Sequence, residues 1–367
     1  MLGERLLLAR KKQNYSLRQL AQAMGNIASH ETLRKYEKGL AVPDSPTLIA
    51  LCKALDVSLA YLMAPQRIAI GSVDFRKKSR TKAADKAAVR TEVLELLERY
   101  LQIEEILGLE HAWETPELGI EPSEEPEYAE LAAVRLRELW NLGLDPIPDL
   151  TDLLEERGIK VLFPEVSVDI SGLTCLVERP GKEPVPVIVV NKDHTLERRR
   201  FTLAHELAHR VLDCREMSGK TAESLCNRFA AAFLVPEQTL KEEMGSNQRR
   251  IAYQEILLVK RLFRVSAAMA VVRLEQVGLM ERYQRDWFFR TVARTWRTQE
   301  PDPLEPPLEE LAPERRLEAP KRFERLVYRA LAEDLISMVK AAELLRQSFD
   351  DVERGLRGPR ELHESPH

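Results

Sequence analysis

The stretch RRFTLAHELAH, Arg199 to His209, decides how the second half of the chain folds. It lies in a segment with helical hydrophobic spacing, Leu196 to Asp213. At 100° per residue, His205 and His209 lie one turn apart on one helix face, so both imidazoles can reach one cation. Glu206 then lies beside the open position of that cation. The spacing predicts a zinc site in which Glu206 is the catalytic base.

The third zinc ligand is expected on the next helix. This helix has Thr221 as its expected N-cap, and a turn through 218–219 returns it antiparallel to the first. Glu223 is the predicted ligand, with one Zn²⁺ per chain. Cys226, one turn further along the same face, is the alternative ligand, although a buried Cys in an alanine-rich helix more often packs. Asn227 is a candidate partner for the Glu223 carboxylate.

The chemistry expected of this site is hydrolysis. Two neutral imidazoles and one carboxylate leave a fourth position for water, whose pKa zinc lowers towards about 7. Glu206 can take a proton from that water and pass it to a leaving amine. The residues do not identify the group that stabilises the oxyanion, because His194, Arg198, Tyr253 and Tyr283 are all candidates.

The first 66 residues carry the pattern of five short helices. Ser16 and Gln19 form a predicted capping box, and Ser29, rather than Asn26, is the expected cap of the third helix. The pair Ser45-Pro46 is expected to open the fourth helix, and Ser58 the fifth. The first helix is expected to end near Lys12. The other four are expected at Leu17 to Met24, His30 to Lys38, Thr47 to Leu55 and Leu59 to Met63.

This module resembles the Xre/lambda-repressor family of helix-turn-helix domains. The motifs are SLRQLA at 16–21, TLRKYEKG at 32–39 and LCKALDVS at 51–58. The resemblance implies a double-stranded DNA operator as partner, with the third helix in the major groove. A protein-interaction module is the alternative. The base-facing residues implied are His30, Glu31, Thr32 and Arg34, the phosphate-positioning residues are Ser16, Arg18, Gln19 and Lys35, and Leu33 and Tyr36 face the core.

The second half of the chain, at about 128–290, resembles the ImmA/IrrE family of zinc metallopeptidases. The motifs are VIVVN at 187–191, RRFTLAHELAH at 199–209 and ESLCNRFAAAFLVP at 223–236. The resemblance implies hydrolysis of a peptide bond in a protein substrate, commonly a DNA-binding repressor. The family pattern usually has alanine where Cys226 stands.

Three short segments upstream of the motif are predicted to form β-strands: Ile159 to Phe163, Ser171 to Glu178 and Pro186 to Val190. They predict a small antiparallel sheet packed on the active-site helix. The fold class is therefore α+β, with an all-α five-helix DNA-binding domain, a mostly helical metallopeptidase domain and a helical C-terminal extension.

Composition excludes several classes of protein. The 367 residues are 44% hydrophobic, and the longest apolar run, Phe229 to Val235, is far shorter than the roughly 20 residues of a membrane span. The four cysteines form no C-x-x-C pair, which argues against a disulfide framework or a cysteine zinc knuckle. We expect no membrane association and a cytoplasmic location.

Charge and proline divide the chain. Residues 1–64 carry nine Lys/Arg against five Asp/Glu, whereas Glu104 to Glu130 contains ten glutamates and no Lys or Arg, which indicates a solvated surface or linker. The expected parts are a DNA-binding domain at 1–66, a charged helical connector at 67–127, the peptidase domain at 128–290, a proline-rich linker at 291–319 and the extension at 320–367.

Three features follow the metal motif. Leu257 to Arg273 has a second helix-turn-helix pattern, for which plain helical packing is the preferred interpretation. Ser337 to Leu356 is expected to form one amphipathic helix. An aromatic group is expected to form a core or interface rather than a platform for stacking nucleic-acid bases; it comprises Tyr283, Trp287, Phe288, Phe289 and Trp296.

The combined hypothesis is a transcriptional regulator, expected to be a homodimer, with a zinc endopeptidase that cleaves a repressor or antitoxin. Such a role fits a stress-response or toxin–antitoxin system. The chain's own N-terminal domain is also a candidate substrate, because the fusion holds it at high effective concentration. The alternative is a regulator or antitoxin whose zinc domain is a non-catalytic sensor or dimerisation module.

Overall fold

The computed structural model describes residues 2–13, 15–57, 59–63, 69–70, 83–109, 113–164, 171–179, 181–296, 298–306, 310 and 316–358. Within these ranges, no helix is both long and apolar enough to cross a membrane. The predicted α+β class is confirmed, with an all-α N-terminal part followed by a mostly helical part that contains one small sheet.

Five helices form the N-terminal domain around a leucine core that includes Leu6, Leu20 and Leu33. Helix α1 packs so closely on α3 that a Cβ at Gly3 would lie 2.4 Å from the carbonyl oxygen of Glu37. Glycine is therefore required at this crossing. The helices are α1 (Leu2–Lys12), α2 (Leu17–Ala23), α3 (His30–Glu37), α4 (Ser45–Leu55) and α5 (Leu59–Met63).

The predicted caps of α2 and α3 are confirmed. Ser16 and Gln19 form a reciprocal capping box, and Ser29 accepts the N–H of Thr32 at 3.1 Å. The predicted cap of α4 is wrong by one residue, because the Asp44 carboxylate accepts the N–H of Thr47 at 3.0 Å. Ser45 is instead the first helical residue. Ser58 lies outside the described residues.

The rest of the chain is built from twelve helices and four strands among the described residues. The helices are α6 (Ala83–Ile106), α7 (Pro126–Leu139), α8 (Leu150–Glu156), α9 (Leu196–Val211), α10 (Gly219–Leu234), α11 (Glu237–Met244), α12 (Tyr253–Phe263), α13 (Ala267–Gln276), α14 (Arg282–Arg290), α15 (Arg322–Ala332), α16 (Met338–Leu345) and α17 (Phe349–Arg357). A 3₁₀ turn, Val292–Arg294, follows α14. The strands are β1 (Ala69–Ile70), β2 (Lys160–Leu162), β3 (Gly172–Arg179) and β4 (Lys182–Val190).

The sheet is mixed, so the expectation of an antiparallel sheet is wrong. Its strand order is β1-β3-β4-β2, with β3 antiparallel to β4 and β2 parallel to β4. The reason is the order of the strands. β3 and β4 form an antiparallel hairpin, and it is β4, not β3, that pairs with β2, in the same direction as β2.

The side chains of β4 pack alternately into two different hydrophobic cores. Ile188 and Val190 pack with α9 and α10, whereas Val187 and Val189 pack with α6 and the C-terminal helices. This is the two-residue period of a strand buried on both faces. The sheet therefore separates α9, which carries His205 and His209, from α6 and the C-terminal helices.

Ion pairs hold the N-terminal domain on α6. Arg5 donates two hydrogen bonds to Glu98, at 2.7 and 2.8 Å, and Lys12 pairs with Glu95 at 2.7 Å. Glu95 also pairs with Arg346, the left-handed residue that ends α16. One carboxylate thus contacts both the DNA-binding domain and the C-terminal extension.

The acidic run Glu104 to Glu130 is not solvated at its ends, contrary to expectation. Glu104 is buried and pairs with Lys160 at 2.6 Å and with Arg322. At the other end, Glu130 pairs with two arginines, Arg228 and Arg273. These partners are distant in sequence, so the acidic composition alone did not reveal them.

The C-terminal segment predicted as one helix is two. Arg346 adopts a left-handed conformation with φ +54°, and its backbone N–H binds the carbonyl of Ala342 to end α16. Ser348 then accepts the N–H of Asp351 at 3.2 Å and opens α17. The segment at 257–273 forms two helices, α12 and α13, joined by left-handed Arg264, in agreement with the helix-turn-helix spacing expected there.

Helix α9 buries charged side chains that residues from the proline-rich region neutralise. Arg199 pairs with Glu305 at 2.7 Å, and Arg200 pairs with Glu318. Both guanidinium groups are fully buried. The stretch interpreted from sequence as a linker therefore packs against α9 through its carboxylates.

We predict that Glu318→Ala lowers the free energy of unfolding by about 3 to 5 kcal/mol, because it leaves the Arg200 charge buried without its partner. It also removes the acceptor of the Leu150 and Thr151 N–H groups, each at 2.8 Å. Urea denaturation measures the change. The control is Glu333→Ala, which breaks an exposed pair with Arg329 and should change stability by no more than about 1 kcal/mol. Equal losses for the two variants would contradict the prediction.

Candidate metal centre

The two helices that carry the motif begin with side-chain caps. Thr195 caps α9, and Ser218 caps α10 by accepting the N–H of Thr221 at 3.2 Å. The predicted cap Thr221 is therefore wrong: it is the third residue of the helix, and its hydroxyl lies 2.9 Å from that of Ser218. Starting α10 at Gly219 puts Glu223 in its second turn, where α10 packs along α9.

The structure brings the three predicted ligands together. Their candidate ligand atoms all lie within 4.8 Å of one another. The Nε2 of His205 is 3.5 Å from one oxygen of Glu223, and the Nε2 of His209 is 3.6 Å from the other. The two imidazoles meet edge to face, with ring centroids 4.8 Å apart.

These distances fit a zinc ion. Zinc bonds of about 2.0 to 2.2 Å in tetrahedral geometry put neighbouring ligand atoms about 3.4 Å apart. The two nitrogen–oxygen separations are 3.5 and 3.6 Å, so the carboxylate and both imidazoles need to move little to bind one ion. The donor set of two imidazoles and one carboxylate is also that of a hydrolytic zinc site with an open fourth position.

Cys226 lies on the far side of His209 from Glu223. Its Sγ is 2.9 Å from Nδ1 of His209, whereas Glu223 lies at Nε2 of the same ring. In the tautomer that binds a metal through Nε2, Nδ1 carries the proton and donates it to the cysteine sulfur. This geometry favours Cys226 as a group that orients His209 rather than as a ligand. Asn227, the suggested partner of Glu223, has an exposed side chain one turn further along α10.

Glu206 lies on α9 and is buried where this helix contacts the start of β3. A Cβ at Gly172 would lie 2.3 Å from the Thr202 side chain and 3.5 Å from Cγ of Glu206. Only glycine allows the strand to cross the helix this closely, so Gly172 sets the distance between β3 and the motif. Sequence analysis missed this residue, although a glycine at the start of a strand often marks such an approach.

The candidates for oxyanion stabilisation differ in their positions. Arg198 is exposed two turns before His205, so it lies on the same face of α9, and it donates to the Ser171 hydroxyl at 2.8 Å. Tyr253 instead packs on Trp296, with ring centroids 6.4 Å apart. The arrangement favours Arg198 over Tyr253 as a group that faces a substrate.

The predicted DNA-reading residues lie on the outside of the N-terminal domain. His30, Glu31, Arg34 and Lys35 are exposed on α3, while Leu33 and Tyr36 are buried, as predicted. Thr32 is partly buried, and its hydroxyl lies 2.9 Å from Ser29 in the cap. Ser16, Arg18 and Gln19 are exposed at the start of α2. The Gln19 side-chain oxygen accepts the Ser16 N–H at 2.8 Å, which leaves its amide N–H groups available to a phosphate.

Comparison with known families agrees with these two sites. A helix-turn-helix family model matches residues 6–62, and the IrrE N-terminal-like domain of a peptidase family matches residues 154–275. A search of curated proteins gave no match. The predicted fusion is confirmed: the chain joins a helix-turn-helix domain to a metallopeptidase-like domain.

We predict about one zinc per chain. His205→Ala, His209→Ala and Glu223→Ala should each abolish stoichiometric binding, because two remaining ligands hold zinc poorly. Cys226→Ala should retain the site but weaken it about 10- to 100-fold, because His209 loses the partner of its Nδ1. Elemental analysis and chelator competition measure both effects.

The matched control is Cys52→Ala, which removes a thiol in the N-terminal domain and should leave zinc affinity unchanged. Full zinc in Glu223→Ala together with its loss in Cys226→Ala would reverse the assignment of the third ligand.

On the DNA side, we predict that the chain binds a pseudo-palindromic site with half-sites about one helical turn apart. Arg34→Ala should cost about 1 to 3 kcal/mol and relax preference at one base position. Lys35→Ala should weaken binding evenly across sequences and flatten its salt dependence. Gel-shift titration of a site library at several salt concentrations measures these effects. Equal losses on every sequence for both variants would count against Arg34 as a base reader.

Proposed function

We propose that this chain is a DNA-binding transcriptional regulator whose metallopeptidase-like domain is a zinc-dependent endopeptidase. The observation that carries the proposal is the convergence of His205, His209 and Glu223, with Glu206 buried beside them. The proposed domain boundaries are those expected from the sequence: 1–66, 67–127, 128–290, 291–319 and 320–367.

The chain's own residues supply most of the proposed chemistry. Zinc, when bound, supplies a Lewis acid that polarises a carbonyl and lowers the pKa of a water molecule. The Glu206 carboxylate takes a proton from the attacking water and delivers it to the leaving amine nitrogen. Arg198, on the same helix face as His205, is positioned to bind a substrate oxygen. Cys226 holds the His209 ring in the orientation that presents Nε2.

The proposed substrate is a separate protein, a repressor or an antitoxin. Its class rests on the ImmA/IrrE resemblance, while the position of the N-terminal domain supports cleavage in trans. That domain packs through α1 on α6, and α6 packs on the sheet face opposite α9. The ion pairs from Arg5 and Lys12 to α6 hold it there. Cleavage of the chain's own N-terminal domain would require that interface to open.

The DNA-binding half of the proposal rests on the exposed face of α3. Arg34 and Lys35 are free of ion pairs among the described residues, so both side chains can turn to DNA. A homodimer would present two such helices to the two half-sites of an operator. The chain would then act in the cytoplasm, where its DNA target lies.

We predict that Glu206→Gln lowers substrate cleavage by about 10²- to 10⁴-fold, because the amide cannot accept the proton of water. Zinc content and operator affinity should stay unchanged, since Glu206 is neither a proposed ligand nor near the DNA-reading helix. The assay follows the integrity of candidate repressors and antitoxins, of the chain's own N-terminal domain, and repression of a reporter gene.

Glu216→Gln, an exposed change in the turn between α9 and α10, is the matched control and should be neutral. Wild-type behaviour of Glu206→Gln in both measurements, with loss of function in His205→Ala, would indicate instead a structural or sensory zinc.

A further inference from the structure

Helix α14 presents an exposed aromatic face that the metal site and the helix-turn-helix domain do not explain. The aromatic group was expected to form a core or interface, and two of its members, Phe288 and Trp296, are buried. The other three rings are exposed, with relative exposures of 66% for Tyr283, 48% for Trp287 and 38% for Phe289.

Two hydrogen bonds on its buried side fix the rotation of α14 about its own axis. The Gln284 side chain donates to the carbonyl of Ile251 at 2.7 Å and accepts the N–H of the same residue at 3.2 Å. Phe288, one turn later, is buried in the same core. Because these two residues face inward, Tyr283 and Trp287, each about 100° around the helix axis from one of them, lie along one flank of α14 and are exposed.

Exposed arginines also lie on α14 and just after it. Arg282, Arg290 and Arg294 are exposed, and none forms a hydrogen bond or salt bridge within the described part of the chain. Arg285 differs, because it pairs with Asp286 at 2.7 Å and with Glu275 at 3.4 Å. Arg290, seven residues after Tyr283, lies on the same flank as the exposed rings, and Arg282 and Arg294 lie at the start of α14 and just after its end. Asp286 interacts electrostatically with Arg282 and Arg290, but their guanidinium groups remain accessible to an anionic partner.

We propose that this face of α14 binds single-stranded nucleic acid. Tyr283 and Trp287 are four residues apart, which separates them by about 6 Å along the helix axis and lets them stack on successive bases. The three arginines complement the phosphate backbone and themselves stack on bases. The occupant is single-stranded because a duplex hides its base faces within its own stack, leaving only edges for protein contacts.

The test uses the full chain and an oligothymidylate of about twelve nucleotides. Of the four tryptophans, Trp287 is exposed, Trp113 is partly buried, and Trp140 and Trp296 are buried, so the part of the quenching that is lost in Trp287→Phe reports on this face. Binding should quench the fluorescence, and Trp287→Ala should weaken the affinity of labelled oligonucleotide about 5- to 150-fold. Trp287→Phe should retain most of the affinity, because phenylalanine still stacks.

Arg290→Ala should weaken binding and reduce its salt dependence. Phe349→Ala, which removes a ring of 52% exposure on α17, is the matched control and should have no effect. Zinc content and circular dichroism establish that each variant folds.

Three results would overturn the proposal: no quenching by the oligonucleotide, unchanged affinity in Trp287→Ala, or equal competition by a duplex of the same length. A loss of dimer in Trp287→Ala with no change in oligonucleotide affinity would identify the face as a contact between two copies of the chain. The proposal does not depend on peptidase activity, so it is tested separately from the Glu206 experiment.

Discussion

Helix α9 can lie in the interior because other segments neutralise its charges. Its first two turns bury Glu197, Arg199 and Arg200, and an unpaired buried charge costs several kcal/mol. Glu305 and Glu318 pair with the arginines, while Lys260 pairs with Glu197. These contacts fix the direction and rotation of α9, and with them the positions of its two histidines.

The same contacts make the metal centre depend on residues more than 100 positions away. Glu318 also accepts the Leu150 and Thr151 N–H groups, so one carboxylate joins the start of α8 to α9. Glu300 lies 3.2 Å from Lys260 and accepts the Ala267 N–H, which adds α12 and α13 to the network. Burial raises the pKa of both glutamates, as expected for carboxylates removed from water. Charge pairing thus organises the helices around the motif.

A second buried network lies on the opposite face of the sheet. Tyr100 donates to Glu155 at 2.9 Å, and Glu104 accepts from Lys160 at 2.6 Å. Arg322 adds a contact to Tyr100 at 3.2 Å. Burial raises the pKa of Glu155 to about 7. Since α6 carries Tyr100 and Glu104 here and Glu95 and Glu98 at the N-terminal domain, this helix connects the DNA-binding domain to the sheet and the C-terminal extension.

The sequence by itself determined the parts whose physics is local. Helical spacing put His205 and His209 on one face, and the caps Ser16 and Ser29 marked the starts of α2 and α3 to the residue. Only the tertiary structure decided which side of His209 faces Cys226, that β4 runs parallel to β2, and that α14 turns Trp287 outward. Helix periods and caps depend on neighbours within about four residues, so they can be read along the chain. Ion pairs such as Arg200 with Glu318 join residues 118 apart in sequence, and their partners are selected only when the packed helices bring them together.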